Sequence, residues 1–430
     1  MKIDFPFKHY ESISPGEVPD ANVMGVYAPR SAGKTDEEHI LSRGIQHPIG
    51  TPPLSEMVRK QDRVLILVDD YTRGTPVKKV LPHVLAQLKQ AGVSDKVITL
   101  LTAQGTHREM TPEEIEKKLG PFAKQFPVHQ HRWTDEAMLH RFGTLKDGTP
   151  VRANRLLTEA DLVMGIVSIV PHRVKGFSGG AKIAFPGVAG PEIQSHLQWQ
   201  GAQRMSDTVM GEPENPMRAA MEEAARMVGL RFVINLVTGG DKHLAGCFSG
   251  EPVASHREGC RLSRDIFSVS LPHRADIVIT DSHPADYDLW QSAKGYYSGT
   301  MAVKDGGSLI VVAPNPEGVA KNHPVMLEVG YKPFKELRAM VDSGQIKDVV
   351  GASILGDLCQ IIDKTDCIIV SPGITVEEAK RLGLRYAKTV QDALLMAFEK
   401  QGQKAKVAIL RQGGHILPQV AGEHQEGLRR

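Results

Sequence analysis

Between Pro171 and Lys182 the chain reads PHRVKGFSGGAK, placing a histidine, a serine, two lysines and three glycines close together. His172 can move protons near neutral pH. Lys182 can bind an anion or form a covalent bond through its amine. Gly176, Gly179 and Gly180 lack Cβ, so backbone N–H groups can approach a bound group closely, and Ser178 adds a hydroxyl. A glycine-rich turn after a strand is a common way to present N–H groups to an anion. The alternative is a loop whose glycines only turn the chain.

Other polar groups stand at the ends of apolar runs. Asp70 and Arg73 follow one run and His107 follows another; His196, Gln291 and Lys294 lie further along. Arg73 suits a carboxylate because its fork matches two oxygens, though an Asp70–Arg73 structural pair is an equal reading. Together Arg73, His107, His172, Lys182, His196, Gln291 and Lys294 suggest an anion site with two histidines as acid/base candidates. Two such groups on opposite faces of one carbon are what racemisation requires. A substrate with a carboxylate and an adjacent hydroxyl fits. A C–H bond beside a carboxylate is too weakly acidic for histidine alone, so an electron sink or hydride acceptor is needed.

Strands ending at these residues must position them. Apolar runs over Arg63–Val68, Lys96–Thr102, Asp161–Val170, Phe232–Val237, Ala275–Asp281, Ser308–Ala313, Asp366–Val370 and Lys406–Leu410 read as strands, and Asn22–Tyr27 as a short one. Helical stretches alternate with them, including Val77–Ala91, one capped by Thr111 with Pro112 at its first position, one from Pro191 and one over Met217–Val228. This rhythm predicts an α/β protein of two domains, 1–268 and 269–430, with largely parallel sheets and a ligand cleft between them. Gly-Lys-Thr at 33–35 is not a phosphate loop, because Ala28 stands where the first glycine is required. His129 and His131 read as an exposed strand. Glu399–Lys404 and the tail from Glu423 are polar and are expected to be mobile.

Composition narrows the class. At 430 residues the chain is too long for one core. Fifty-two basic residues against fifty acidic leave a net charge of +2, which gives no argument for nucleic acid or a membrane surface. No apolar run approaches a membrane span, and the N-terminus lacks the apolar core of a signal peptide. Cys247, Cys260, Cys359 and Cys367 show no CxxC spacing and fit free thiols in a reducing, cytoplasmic setting.

Three motifs carry a resemblance. Asp-x-Thr-Arg-x-x-Pro at 70–76, Gly-Thr-His at 105–107 and Pro-His-x-x-x-Gly-Phe-Ser-Gly-Gly-x-Lys at 171–182, followed by Gln291-x-x-Lys294, resemble the lactate racemase family in kind and order. The resemblance implies a nickel pincer nucleotide, a pyridinium mononucleotide whose thioamide and thiocarboxylate groups hold nickel, made by separate biosynthetic enzymes. It implies that Lys182 is the covalent tether, His196 the protein ligand to nickel, and His107 and His172 the acid/base pair. Arg73, with Asp70 beside it, would orient the substrate carboxylate or His107. Trp290, Gln291 and Lys294 would line the substrate, and the Gly176–Gly180 loop with Ser178 would approach the cofactor.

The chain departs from the family pattern at three positions. Trp290 stands where tyrosine is expected, Lys175 where a small residue is usual, and Arg173 adds a charge. The expected activity is therefore racemisation or epimerisation of a small 2-hydroxy acid whose identity is open, as is the oligomeric state. The rival readings are an α/β enzyme of nucleotides or phosphorylated substrates working without nickel, and a non-catalytic carrier of the cofactor.

Overall fold

The structure, a computed structural model, describes residues 1–7, 9–10, 13–204 and 206–423. All of the polar tail beyond Glu423 lies outside the described residues. The chain forms two compact units, one of residues 30–197 and 212–266, the other of 1–29, 198–211 and the chain from Phe267 on. A single boundary at 268 would leave 1–29 and 198–211 in the wrong unit. The physical reason is strand pairing: β1 (Val23–Tyr27) is apolar enough to pair, and the sheet edge it pairs with belongs to the second unit.

The first unit holds a six-stranded sheet of β2 (Val64–Asp69), β3 (Ile98–Ala103), β4 (Val128–Gln130), β5 (Leu162–Ser168), β6 (Leu230–Thr238) and β7 (Leu244–Gly250). Their order is β7-β6-β5-β2-β3-β4, parallel except for the antiparallel β6–β7 pair. Every residue of β2 is buried, as a parallel strand covered on both faces requires. Helices α1 (Glu37–Gln46) and α2 (Val77–Gln90) contribute Leu41, Ile45, Val80, Leu81, Val84 and Leu88 to a core with Ile66, Val68 and Ile234. Each such side chain contributes about 1.5–3 kcal/mol by leaving water. α3 (Pro112–Leu119) starts with the expected Thr111 cap, which Glu114 completes as a capping box.

The second unit repeats the plan with β8 (Ala275–Asp281), β9 (Val303–Val312), β10 (Asp366–Val370), β11 (Arg385–Tyr386) and β12 (Val407–Leu410), ordered β11-β10-β9-β8-β12-β1 and parallel throughout. Apolar cores pack on both faces of this sheet. Glu399–Gln401, expected to be mobile, close the helix Val390–Gln401, whose apolar face is anchored by Val390, Leu394 and Ala397. All four cysteines are free. No helix among the described residues is long and apolar enough to cross a membrane.

Candidate active site

The site forms at the carboxyl ends of β2, β3 and β5, which are neighbours in the sheet, so the loops leaving them are neighbours too. β2 delivers Asp69 and Asp70 into a tight turn. Asp70 is 2% exposed. Its Oδ1 accepts from the Thr72 backbone N–H at 3.1 Å and from the Thr72 hydroxyl at 2.5 Å. Its Oδ2 lies 2.5 Å from Nδ1 of His107, on the loop after β3. The Thr72 hydroxyl in turn accepts from Arg73 Nη1 at 2.6 Å. Burial alone would raise the Asp70 pKa, but the charges of His107 and Arg73 and the bonds from His107 and Thr72 hold it well below the usual carboxylate range. So Asp70 pairs by hydrogen bond with His107, while Arg73 acts on it by charge.

Lys118, at the end of α3, closes this turn from below. Its Nζ is 2.5 Å from Asp69 Oδ1 and donates to the carbonyls of Asp70 at 2.9 Å and Arg73 at 2.8 Å. The His107 loop is tied to the glycine-rich motif as well: Gly105 N–H donates to the Gly187 carbonyl at 2.8 Å.

The central loop leaves β5 through two-residue strands, Pro171–His172 and Gly176–Phe177, that pair antiparallel. His172 Nδ1 accepts from the backbone N–H of Val174 at 3.2 Å and of Lys175 at 3.4 Å. The two histidines are therefore prepared differently. With Nδ1–H directed at Asp70, the base form of the His107 ring has its lone pair on Nε2; accepting at Nδ1 puts the His172 hydrogen on Nε2. The tautomers follow from these partners.

Lys182 sits in a short 3-10 turn, Gly180–Ile183, packed on β2, β5 and β6. Desolvation, then the like charges of Arg73 and Arg218, push its amine down to about 7, against the attraction of Asp70 and Asp69. A large fraction of this amine is neutral near pH 7, and the neutral form is the nucleophile.

The glycine-rich loop is held largely by its own contacts. The N–H groups of Phe177, Ser178, Gly180 and Lys182 are bonded to Lys175 O, Val170 O, Asn235 Oδ1 and Gly179 O. The Ser178 hydroxyl accepts from Val170 N–H and donates to Ser168 O at 2.8 Å. A Cβ on Gly176 would lie 1.7 Å from the Glu212 carbonyl oxygen, and one on Gly180 2.8 Å from the His256 ring. Gly179 is equally hemmed in, by Ile169. At these positions the absence of a side chain makes room for the protein's own packing, and the same loop carries Lys182.

The remaining expected residues stand on other elements. His196, on α4 (Pro191–Ala202), pairs with Asp147 through Nε2 at 2.8 Å. His131 is buried rather than exposed, because it bonds the Ala189 carbonyl through Nε2; burial, only partly opposed by that bond, pushes its pKa down to about 4. Trp290, Gln291 and Lys294 share the start of α5 (Leu289–Thr300) in the second unit, where Lys294 Nζ donates to Gln291 Oε1 at 2.6 Å and Trp290 meets the buried His323 edge-on. Among the described residues no three His, Cys, Asp or Glu side chains gather where they could hold a metal ion.

Residues 11–203 match the model of the lactate racemase N-terminal domain, and residues 271–417 that of the C-terminal domain. The chain belongs to the lactate racemase family. It is 28% identical to a lactate racemase of Thermoanaerobacterium thermosaccharolyticum, over 93% of this chain and 96% of that one. It is 27% identical to a lactate racemase of Lactiplantibacillus plantarum, over 97% and 99%. The apoprotein structure of the Thermoanaerobacterium lactate racemase superposes with a TM-score of 0.85 at 26% identity, covering 97% of this chain and all of the other. A Thermotoga maritima protein at 23% identity and TM-score 0.72, covering 91% of this chain and 99% of that one, shares the fold.

Lys118, Arg218 and His256 carry no distinguishing sequence signal, because each is one polar residue among several on its helix. The one exception is the four-residue spacing of Arg218 and Glu222. Lys118→Met should lower stability by about 3–5 kcal/mol, because it leaves a buried carboxylate without its partner. Urea unfolding measures this, and an unchanged midpoint and slope would show that Lys118 does not hold the turn.

Proposed function

We propose that this chain is an isomerase that inverts C2 of a small 2-hydroxy acid, with hydride passing to and from a nickel pincer nucleotide tethered at Lys182. The observation that carries this reading is the Asp70–His107 pair at 2.5 Å, in one charge cluster with Arg73 and the Lys182 amine, in a chain of the lactate racemase family.

The residues fit the tether. A lysine amine near 7 keeps a neutral, nucleophilic fraction at physiological pH, where an ordinary lysine is almost wholly protonated, as joining it to a thiocarboxylate carbon with loss of water to leave the thioamide would require. His196 would be the nickel ligand; to serve it must turn its Nε2 from Asp147 or offer its other nitrogen. One protein ligand is enough, since the pincer groups bring the remainder. When bound, the cofactor supplies the hydride acceptor that the chain's own side chains lack.

The chain's residues handle the charge and the proton. Arg73, its Nη1 held by Thr72, clamps the substrate carboxylate. His107 Nε2 takes the hydroxyl proton of one enantiomer as hydride leaves C2, giving the 2-keto acid, and Asp70 stabilises the imidazolium that forms. His172 serves the other enantiomer; to act as a base at Nε2 it gives up the two long bonds at Nδ1. For inversion of the first enantiomer, His172 in its protonated form would give the oxygen its proton while the bound cofactor would supply the hydride to the opposite face, and the reverse reaction would exchange the two histidines' roles.

Intact-mass and nickel analysis of chain co-produced with the cofactor's biosynthetic enzymes should give an adduct mapped to Lys182, lost in Lys182→Ala. An adduct unchanged in that variant places the tether elsewhere. His107→Gln and His172→Gln should each lower kcat by about 10²–10⁴-fold while keeping the adduct. Wild-type rates in His172→Gln with both enantiomers would leave His107 as the only acid/base group.

A further inference from the structure

Under the loop that carries Lys182 lies a basic floor. Arg218, in the first turn of the helix Pro216–Met227, is 1% exposed. Its Nη2 donates to the carbonyls of Lys175, at 3.1 Å, and Phe177, and its Nη1 to that of Gly179 at 3.0 Å. His256 Nε2 donates to the Ser178 carbonyl at 2.9 Å. Four carbonyls within residues 175–179 are thus turned down onto two side chains. A guanidinium suits this task, with five N–H donors on a rigid plane and a charge it does not lose. The buried Glu222, one turn along the same helix, pairs with Arg257 at 2.8 Å, and its charge also favours the charged form of Arg218.

We propose that Arg218 is a positioning residue for the tethering lysine: it pins the 175–179 loop by its carbonyls and sets a fixed positive charge beside the Lys182 amine. The proposal rests on Lys182 being the attachment residue. The charged groups acting on that amine are Arg73 from the loop after β2, Arg218 from below, and Asp70 and Asp69 opposing them. Desolvation is the largest influence and Arg73 the next, so Arg218 adds to a shift it does not make alone. Its distinct contribution is to combine that charge with the loop's geometry.

The test uses the full-length apoprotein, with acetylation of Lys182 by trace acetic anhydride followed against pH by peptide mass spectrometry. In the wild type the labelling midpoint should fall near 7. Arg218→Gln should move it upward, toward the ordinary lysine range; Arg218→Lys, which keeps the charge, should leave it in place. Arg218→Lys cannot reproduce the fork, so amide hydrogen exchange across residues 177–182 should quicken by about tenfold or more, the loss of one charged hydrogen bond. A wild-type midpoint in folded Arg218→Gln overturns the charge, and unchanged exchange in Arg218→Lys overturns the clamp. Should Arg218→Gln fail to fold, Arg218→Lys decides alone, with faster exchange at a kept midpoint as the supporting result. These readings need no cofactor: an adduct found away from Lys182 would sink the functional reading and leave the labelling result standing.

Discussion

The Asp70 carboxylate is almost wholly removed from water, and it stays ionised only because His107, Arg73 and Thr72 surround it. The rest of the site follows from satisfying that buried charge. It orients His107 through Nδ1, it draws Thr72 into a turn that fixes Arg73, and its neighbour Asp69 requires Lys118. Unpaired buried charges cost several kcal/mol each, so losing one member leaves its partners stranded. The sheet makes the arrangement affordable, because β3 and β5 flank β2 and bring the other two loops to the same edge.

Lys182 works under the opposite constraint. Where Asp70 gathers cations to remain charged, Lys182 is desolvated, feels the like charges of Arg73 and Arg218, and is thereby eased toward neutrality. One cluster thus holds a carboxylate that resists protonation beside an amine that gives its proton up. The loop between them uses the N–H groups of Phe177, Ser178, Gly180 and Lys182 and the Ser178 hydroxyl within its own fold. That argues against an ordinary nucleotide or phosphorylated substrate cradled by the glycines, since such a cradle needs those groups free to turn outward.

Much of this was legible in the sequence, for identifiable reasons. Parallel strands buried on both faces read as unbroken apolar runs, so Val64–Asp69 and Ala275–Asp281 stood out with their polar ends. The loop residues Arg73, His107, His172 and Lys182 followed directly. Strand order was not legible, and with it the choice of His107 over Arg73 as hydrogen-bond partner of Asp70. Nor was the home of Val23–Tyr27, whose partner Val407–Leu410 lies at the far end of the chain. Nor was the packing around the glycines: Glu212 and His256 stand where side chains at Gly176 and Gly180 would go.

The central claim is that hydrogen leaves and rejoins C2 as hydride while the histidines handle only the hydroxyl proton. It is tested most directly by running the cofactor-loaded enzyme on one enantiomer of a 2-hydroxy acid substrate in D2O and reading C2 of the inverted product by mass spectrometry. The account predicts that C2 keeps the substrate's own protium. Incorporation of solvent deuterium at C2 would show that a side chain removes that hydrogen as a proton, and would contradict it.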